Sequence, residues 1–319
     1  MIDNLEGYLK ENISNDLISL NRVGGYSAEN YVAIFDNNRK YFIKVLRENP
    51  MAYIAKLKTV ISVLDKNHNL PFVSPLNIDE SNNIIVYKYI DGVVLHGSDI
   101  SERHCESIVQ NVLHNFTLLP SDNLSEHSNS LFKNLDSSVR EIKNLLISSR
   151  DSEHAELIND ILCLKLSLID KHASDQGLID WIKNTNNFVH GDFHNENILF
   201  DGTSVAAVID FELAHRGHPI EDAINFVWFA FLNSDFSSDN LARARTFLRF
   251  VTKNLRLSDM DVINGFKLMY IKLFSSAFLE TSLLKYGGDL YPALLRRDLN
   301  KFKYIDDNLS TITNKLLKP

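Results

Sequence analysis

The stretch Phe188 to Glu212, FVHGDFHNENILFDGTSVAAVIDFE, constrains this chain more than any other. An apolar pair, Phe188 and Val189, leads into His190-Gly191-Asp192. Asn197 follows, and the apolar run Ile198, Leu199, Phe200 ends on Asp201-Gly202, a strong hairpin signal. A second apolar run, Val205 to Ile209, delivers Asp210. Two strands closing on that turn would carry Asp192, Asn197 and Asp210 to one end of a ribbon. Two carboxylates and an amide gathered there form a hard, oxygen-rich site of the kind that suits Mg²⁺. Asp and Asn also serve ordinary turns. The conjunction of His-Gly-Asp, the spaced Asn, the flanking strands and Asp-Phe-Glu is what favours a site.

The chain before this stretch supplies a small sheet. Leu20 to Val23 reads as a strand that turns through Gly24-Gly25-Tyr26-Ser27 into a second strand, Tyr31 to Phe35. Such a glycine turn lets backbone N–H groups approach phosphate oxygens, with Gly25 and Ser27 in the turn; an ordinary hairpin is the alternative. Lys40 to Leu46 is a third strand, with Tyr41, Ile43 and Val45 on one face and Phe42, Lys44 and Leu46 on the other. A strand lysine usually snorkels to water, but Lys44 sits on a largely apolar face at the end of a three-strand meander. Met51 to Lys66 has helical spacing, and Ile84 to Tyr89 is a strand closed by Asp91-Gly92.

Beyond that point the pattern is helical: Ser101 to Leu118, Ser128 to Ser148, Ser152 to His172, Glu221 to Asn233, Asp239 to Asn254, Ser258 to Lys285 and Ala293 to Lys315. Ser258 with Asp261 resembles a capping box. The expected organisation is α+β, with a β-rich lobe over residues 1–92 and a larger helical lobe over 93–319. A length of 319 residues suits two lobes. Cys105 and Cys163 are the only cysteines, too few for a disulfide framework or a zinc site of familiar spacing. The net charge of −8 argues against a nucleic-acid partner. No apolar run approaches the roughly 20 residues of a membrane helix, and Asn225 interrupts the longest candidate, Ala223 to Leu232. The N-terminus is acidic and amphipathic, unlike a secretory signal, so a cytoplasmic location is expected.

HGDFHNENILF and VIDFE, followed by Gly217, Pro219 and Asp222, resemble the motifs of the aminoglycoside phosphotransferase and choline kinase family, which has the protein-kinase-like fold. The resemblance runs from the Gly24 turn to about Asp222. It implies that Asp192 accepts or orients the proton of a substrate hydroxyl, and that Asn197 and Asp210 hold Mg²⁺ against the phosphates of ATP or GTP. It also implies that Lys44 pairs with the α- and β-phosphates and that backbone near Lys88 and Ile90 bonds the base; in some members an aromatic at the place of Phe42 stacks on the base, and an aromatic in the core of the small sheet is the alternative reading of Phe42. His190 reads as architectural. His194, Glu196 and Glu212 would contact metal, substrate or water.

One departure stands out. In this fold the strand lysine pairs with a glutamate on the next helix, yet between Lys44 and Ile84 the only acids are Glu48, Asp65, Asp79 and Glu80. The expected function is transfer of a γ-phosphate to a hydroxyl of a small molecule, an aminoglycoside or other antibiotic among the candidates. A metabolic kinase of choline, homoserine or sugar type, or a nucleotide-binding pseudokinase, is the alternative. Protein phosphorylation fits poorly, because the short span from Asp210 to Asp222 leaves no long activation segment. Glu221, Glu280 and Asp289 are candidates to receive a cationic substrate's ammonium groups.

Overall fold

Alternating apolar residues in the first part of the chain form a sheet that must cover two faces. In the computed structural model, residues 5–24, 28–47, 49–125, 127–172, 174–183, 185–233, 235–288 and 290–317 are described, with the backbone alone at 37 and 127–134. The elements run α1 (Leu5–Asn12), β1 (Leu17–Val23), β2 (Ala28–Phe35), β3 (Lys40–Leu46), α2 (Pro50–Leu64), β4 (Pro75–Asp79) and β5 (Ile84–Lys88). The strands pair antiparallel in the order β1-β2-β3-β5-β4. One face packs Ala33, Phe35, Ile43, Val45 and Val86 with Leu9 of α1. The other packs Leu46 and Ile85 with Ile54 and Leu57 of α2. Alternation along β3 therefore sends Ile43 and Val45 to the α1 side and turns Lys44 to the side of α2. Strand β4 carried no alternation strong enough to be read from the sequence.

The helical part begins with α3 (Glu102–Ile108), which continues through a π-helical turn at Val109–Leu113 into α4 (His114–Thr117). It goes on through α5 (His127–Ser148), α6 (Ala155–His172) and α7 (Gln176–Lys183). Three short strands and their partner follow: β6 (Asn187–Val189), β7 (Ile198–Asp201), β8 (Ser204–Val208) and β9 (His215–Gly217), where β6 pairs with β9 and β7 with β8. The chain ends in α8 (Ile220–Val227), α9 (Ser238–Leu255), α10 (Asp259–Ser275), α11 (Phe278–Tyr286) and α12 (Leu290–Leu317). The capping box is present, with Asp261 N donating to Ser258 Oγ at 3.2 Å and Ser258 N to Asp261 Oδ2 at 2.8 Å.

Two expectations are revised. Gln176–Lys183, just ahead of the site, is the helix α7, where the sequence reading placed no helix. Ser258 to Lys285 is two helices, because the backbone leaves helical geometry at Ser276 and Ala277, where Lys165 of α6 donates to the Ser276 carbonyl at 2.6 Å. Asp259–Tyr286 is apolar and long enough by composition to cross a membrane. The break divides it, and Val262, Phe266, Leu268, Tyr270, Ile271 and Phe274 are buried in the core of the helical region.

Candidate active site

The hairpin β7–β8 forms as its turn chemistry requires, with Gly202 at φ 55°. At its open end Ile209 N donates to the Asn197 carbonyl at 3.0 Å. Asp210 then takes a left-handed conformation, φ 65° and ψ 57°, which turns the chain sharply after the strand. Asn197 Nδ2 donates to the Asp192 carbonyl at 2.8 Å and lies 3.3 Å from Asp192 Oδ2. With that nitrogen committed to the Asp192 side, the amide oxygen is the atom left for a metal. Asp192, Asn197 and the strand end that carries Asp210 are thus brought together.

His190 is fully buried. Its Nε2 donates to the Ile209 carbonyl at 2.9 Å, and its Nδ1 accepts from Asp192 N at 3.3 Å, so both nitrogens of a neutral ring are satisfied. Burial pushes its pKa down to about 4. It is an architectural residue. Asp222 reaches the loop from α8 and accepts from His190 N at 2.7 Å and Gly191 N at 3.0 Å. Burial pushes its carboxyl up to about 6, against those two bonds. Gly191 has φ 85°, and a Cβ there would meet the Leu213 carbonyl at 2.3 Å. Phe193, wholly buried, packs with Phe116, which also meets Phe188 and Phe211, so aromatic rings form the floor under the loop.

Asp192 keeps an ionised carboxylate. Burial works to raise its pKa, but His194, with Nε2 3.4 Å from Oδ2, and Asn197 hold it below the ordinary value. Phe229, partly exposed, packs against His194 with 5.4 Å between ring centroids. Glu212 of the Asp-Phe-Glu segment faces Lys44 rather than the acceptor side.

Lys44 is buried at 6 % exposure. Its Nζ lies 2.9 Å from Asp210 Oδ1, 3.3 Å from Glu212 Oε2 and 2.9 Å from Tyr53 OH on α2. Burial opposes the charge, but Asp210, Tyr53 and Glu212 outweigh it and raise the pKa. Tyr53 stays a neutral phenol, its pKa pushed up to about 12 by burial. The contact that a helix glutamate would make with Lys44 is made on α2 by the hydroxyl of Tyr53, a residue type that a search for acids passes over.

Between the sheet and the helical part lies an open cleft. Phe42, Lys44, Tyr87, Lys88, Ile90, Leu199, Ile209 and Asp210 line it. Phe42, Lys44, Lys88, Ile90 and Asp210 are therefore together. Gly25 and Ser27 lie outside the described residues, as do Glu48 and Asp289. Glu221 and Glu280, expected to be open to an ammonium group, are buried: Lys272 Nζ lies 2.9 Å from Glu221 Oε2, and Lys165 Nζ lies 2.6 Å from Glu280 Oε1. Among the described residues no group of three or more His, Cys, Asp and Glu forms a metal site. The Asp210 carboxylate and the Asn197 amide oxygen could together offer a cation two oxygen donors, a set that would suit an ion keeping waters and phosphates as its other ligands.

Known structures share this fold. Choline kinase LicA from Streptococcus pneumoniae has 18 % identity and a TM-score of 0.62, with 94 % of this chain and 99 % of that one covered. ADP-bound aminoglycoside phosphotransferase APH(2'')-Ib has 18 % identity and a TM-score of 0.55, with 99 % and 100 % covered. Amicoumacin kinase hAmiN, in complex with AMP-PNP, Ca²⁺ and Ami, has 14 % identity and a TM-score of 0.62, with 94 % and 93 % covered. At these identities the likeness is one of fold. No curated protein gives a significant sequence match. The profile of the Phosphotransferase enzyme family matches residues 20–253, most of the chain, with the Asp192 loop and Asp210 inside the match. The chain belongs to the phosphotransferase enzyme family.

Proposed function

We propose that this protein transfers the γ-phosphate of ATP or GTP to a hydroxyl group of a small molecule, with Mg²⁺ as the metal. The observation that carries the reading is the cleft that has Lys44 and Asp210 2.9 Å apart and the Asp192–Asn197 pair at the open end of the same hairpin. Phosphoryl transfer needs alignment and charge neutralisation more than covalent help. In this reading Asp192 takes the proton of the acceptor hydroxyl as it attacks. Lys44 holds the α- and β-phosphates, Phe42 and the backbone near Lys88 and Ile90 hold the base, and the turn with Gly25 and Ser27 covers the phosphates. Asn197 and Asp210 would hold Mg²⁺, which when bound neutralises charge on the phosphates. Residues 1–92 form the nucleotide lobe and 93–319 the lobe with the acceptor site, and the cytoplasm is the compartment we assign.

The acceptor class is open to aminoglycosides, amino alcohols such as choline, homoserine and sugars. Burial and pairing of Glu221 and Glu280 remove two carboxylates that an aminoglycoside would use. The pseudokinase alternative rested on the missing helix glutamate, and the three partners of Lys44 weaken it. The decisive experiment is consumption of ATP and of GTP with Mg²⁺ across a panel of aminoglycosides, amino alcohols, sugars and nucleosides. Turnover with one class supports the reading and names the acceptor. Nucleotide binding with a flat panel would favour the pseudokinase.

A further inference from the structure

Helix α2, PMAYIAKLKTVISVL, contains no acidic residue and carries Lys56 and Lys58 instead. Helix α2 thus offers the strand lysine no carboxylate, where the kinase pattern has a helix glutamate facing it, and its Lys58 pairs with Glu80 instead. Lys44 is nevertheless well held. Tyr53, in the first turn of α2, has its hydroxyl 2.9 Å from Nζ, and its ring centroid lies 5.0 Å from the same nitrogen. Glu212 approaches to 3.3 Å from the segment after β8. Asp210 is the nearest carboxylate; were it engaged by a metal, Glu212 would be the anion left beside the lysine. A buried ammonium without a counter-charge would be costly.

We propose that Tyr53 and Glu212 jointly replace the helix glutamate as positioning residues for Lys44, with Tyr53 giving a fixed acceptor from the helix and Glu212 the counter-charge from the helical lobe. The inference rests on the phosphotransferase reading above. It differs from the ordinary arrangement in one physical respect. A helix glutamate fastens the lysine within the β-rich lobe, whereas Glu212 fastens it across the cleft.

The experiment compares the wild type with Tyr53→Phe, Glu212→Gln and the charge-relocated double variant Tyr53→Glu/Glu212→Gln. Dissociation constants for ATP and GTP with Mg²⁺ are measured by calorimetry, and KM and kcat by nucleotide hydrolysis with water as acceptor. Glu212→Gln is expected to weaken nucleotide binding about tenfold and to lower kcat, as loss of a charge-assisted bond does. Tyr53→Phe should weaken binding about threefold, in line with loss of one neutral acceptor. The relocated carboxylate should recover most of the Glu212→Gln loss, which a residue of purely structural importance would not allow. Both single substitutions are nearly isosteric, so they decide the matter even where the double variant does not fold. Unchanged constants in both single variants overturn the inference. So does a Glu212→Gln defect that extra Mg²⁺ repairs and Tyr53→Glu does not, since Glu212 would then be a metal ligand. A wild type that binds neither nucleotide overturns the functional reading together with this inference; binding by the wild type with indifferent variants overturns this inference alone.

Discussion

Asp192 is a carboxylate kept ionised in a half-buried place by two neighbours, His194 and Asn197. Its substitution by Asn keeps the shape and removes the carboxylate that, in the proposed reaction, takes the proton. Asp192→Asn is expected to retain nucleotide binding and to lose at least about a hundredfold in turnover, which steady-state kinetics with the acceptor found in the panel would show. His190 makes a different prediction. Its folded pKa of about 4 lies below the ordinary 6.5, so the unfolded chain takes up a proton that the folded ring refuses. Its contribution is present above pH 6.5 and is lost as the pH falls through about 4. The contribution of Asp222, raised to about 6 from 3.8, runs the other way, being present below 3.8 and lost as the pH rises through about 6. The contribution of the histidine is isolated by comparing the wild type with His190→Gln in denaturant titrations. The stability advantage of the wild type should shrink between pH 7 and pH 4, and a constant difference would contradict the buried neutral ring.

At the scale of elements, the loop that carries Asp192 is a tight turn held from outside. Gly191 sits at a positive φ, its N–H is taken by Asp222 of α8, and a Cβ there would collide with the Leu213 backbone. Gly191→Ala is expected to cost roughly 1–3 kcal/mol from the backbone strain alone, with a further loss from the collision. Thermal unfolding would read this together with diminished activity. The sequence spelled out much of this element: the hairpin, its Asp-Gly turn and the order Asp192, Asn197, Asp210 all lie within one local stretch. Asp222 was visible there only as the end of a familiar motif. That it bonds two backbone N–H groups of the loop depends on how the tertiary fold sets the start of α8 beside His190 and Gly191, and no local pattern encodes such a contact.

At the scale of the whole molecule, the helices of the larger lobe are joined by a buried ion pair. Lys165 of α6 and Glu280 of α11 are 4 % and 0 % exposed, with 2.6 Å between Nζ and Oε1. Breaking such a pair from one side strands the other charge. Glu280→Ala is expected to lose about 3–5 kcal/mol in urea denaturation, whereas Lys165→Met/Glu280→Leu should lose much less. A small loss in the single variant would show that water reaches Lys165.

Local chemistry was enough for the sequence to establish the alternation of the small sheet, the helical periodicity beyond it and the ordered motif from His190 to Asp210, since strand period, helix period and turn residues act over a few positions. Family membership followed from that order of residues. The partners of Lys44 were decided only by the tertiary structure. Tyr53 is nine residues away along the chain and Glu212 is 168, and the two meet at one nitrogen because α2 covers one face of the sheet while the β7–β8 hairpin closes the cleft from the other lobe. Glu221 and Glu280 were equally undetermined by sequence. A carboxylate written in a helix looks the same whether it faces water or a buried lysine, and packing alone supplied Lys272 and Lys165.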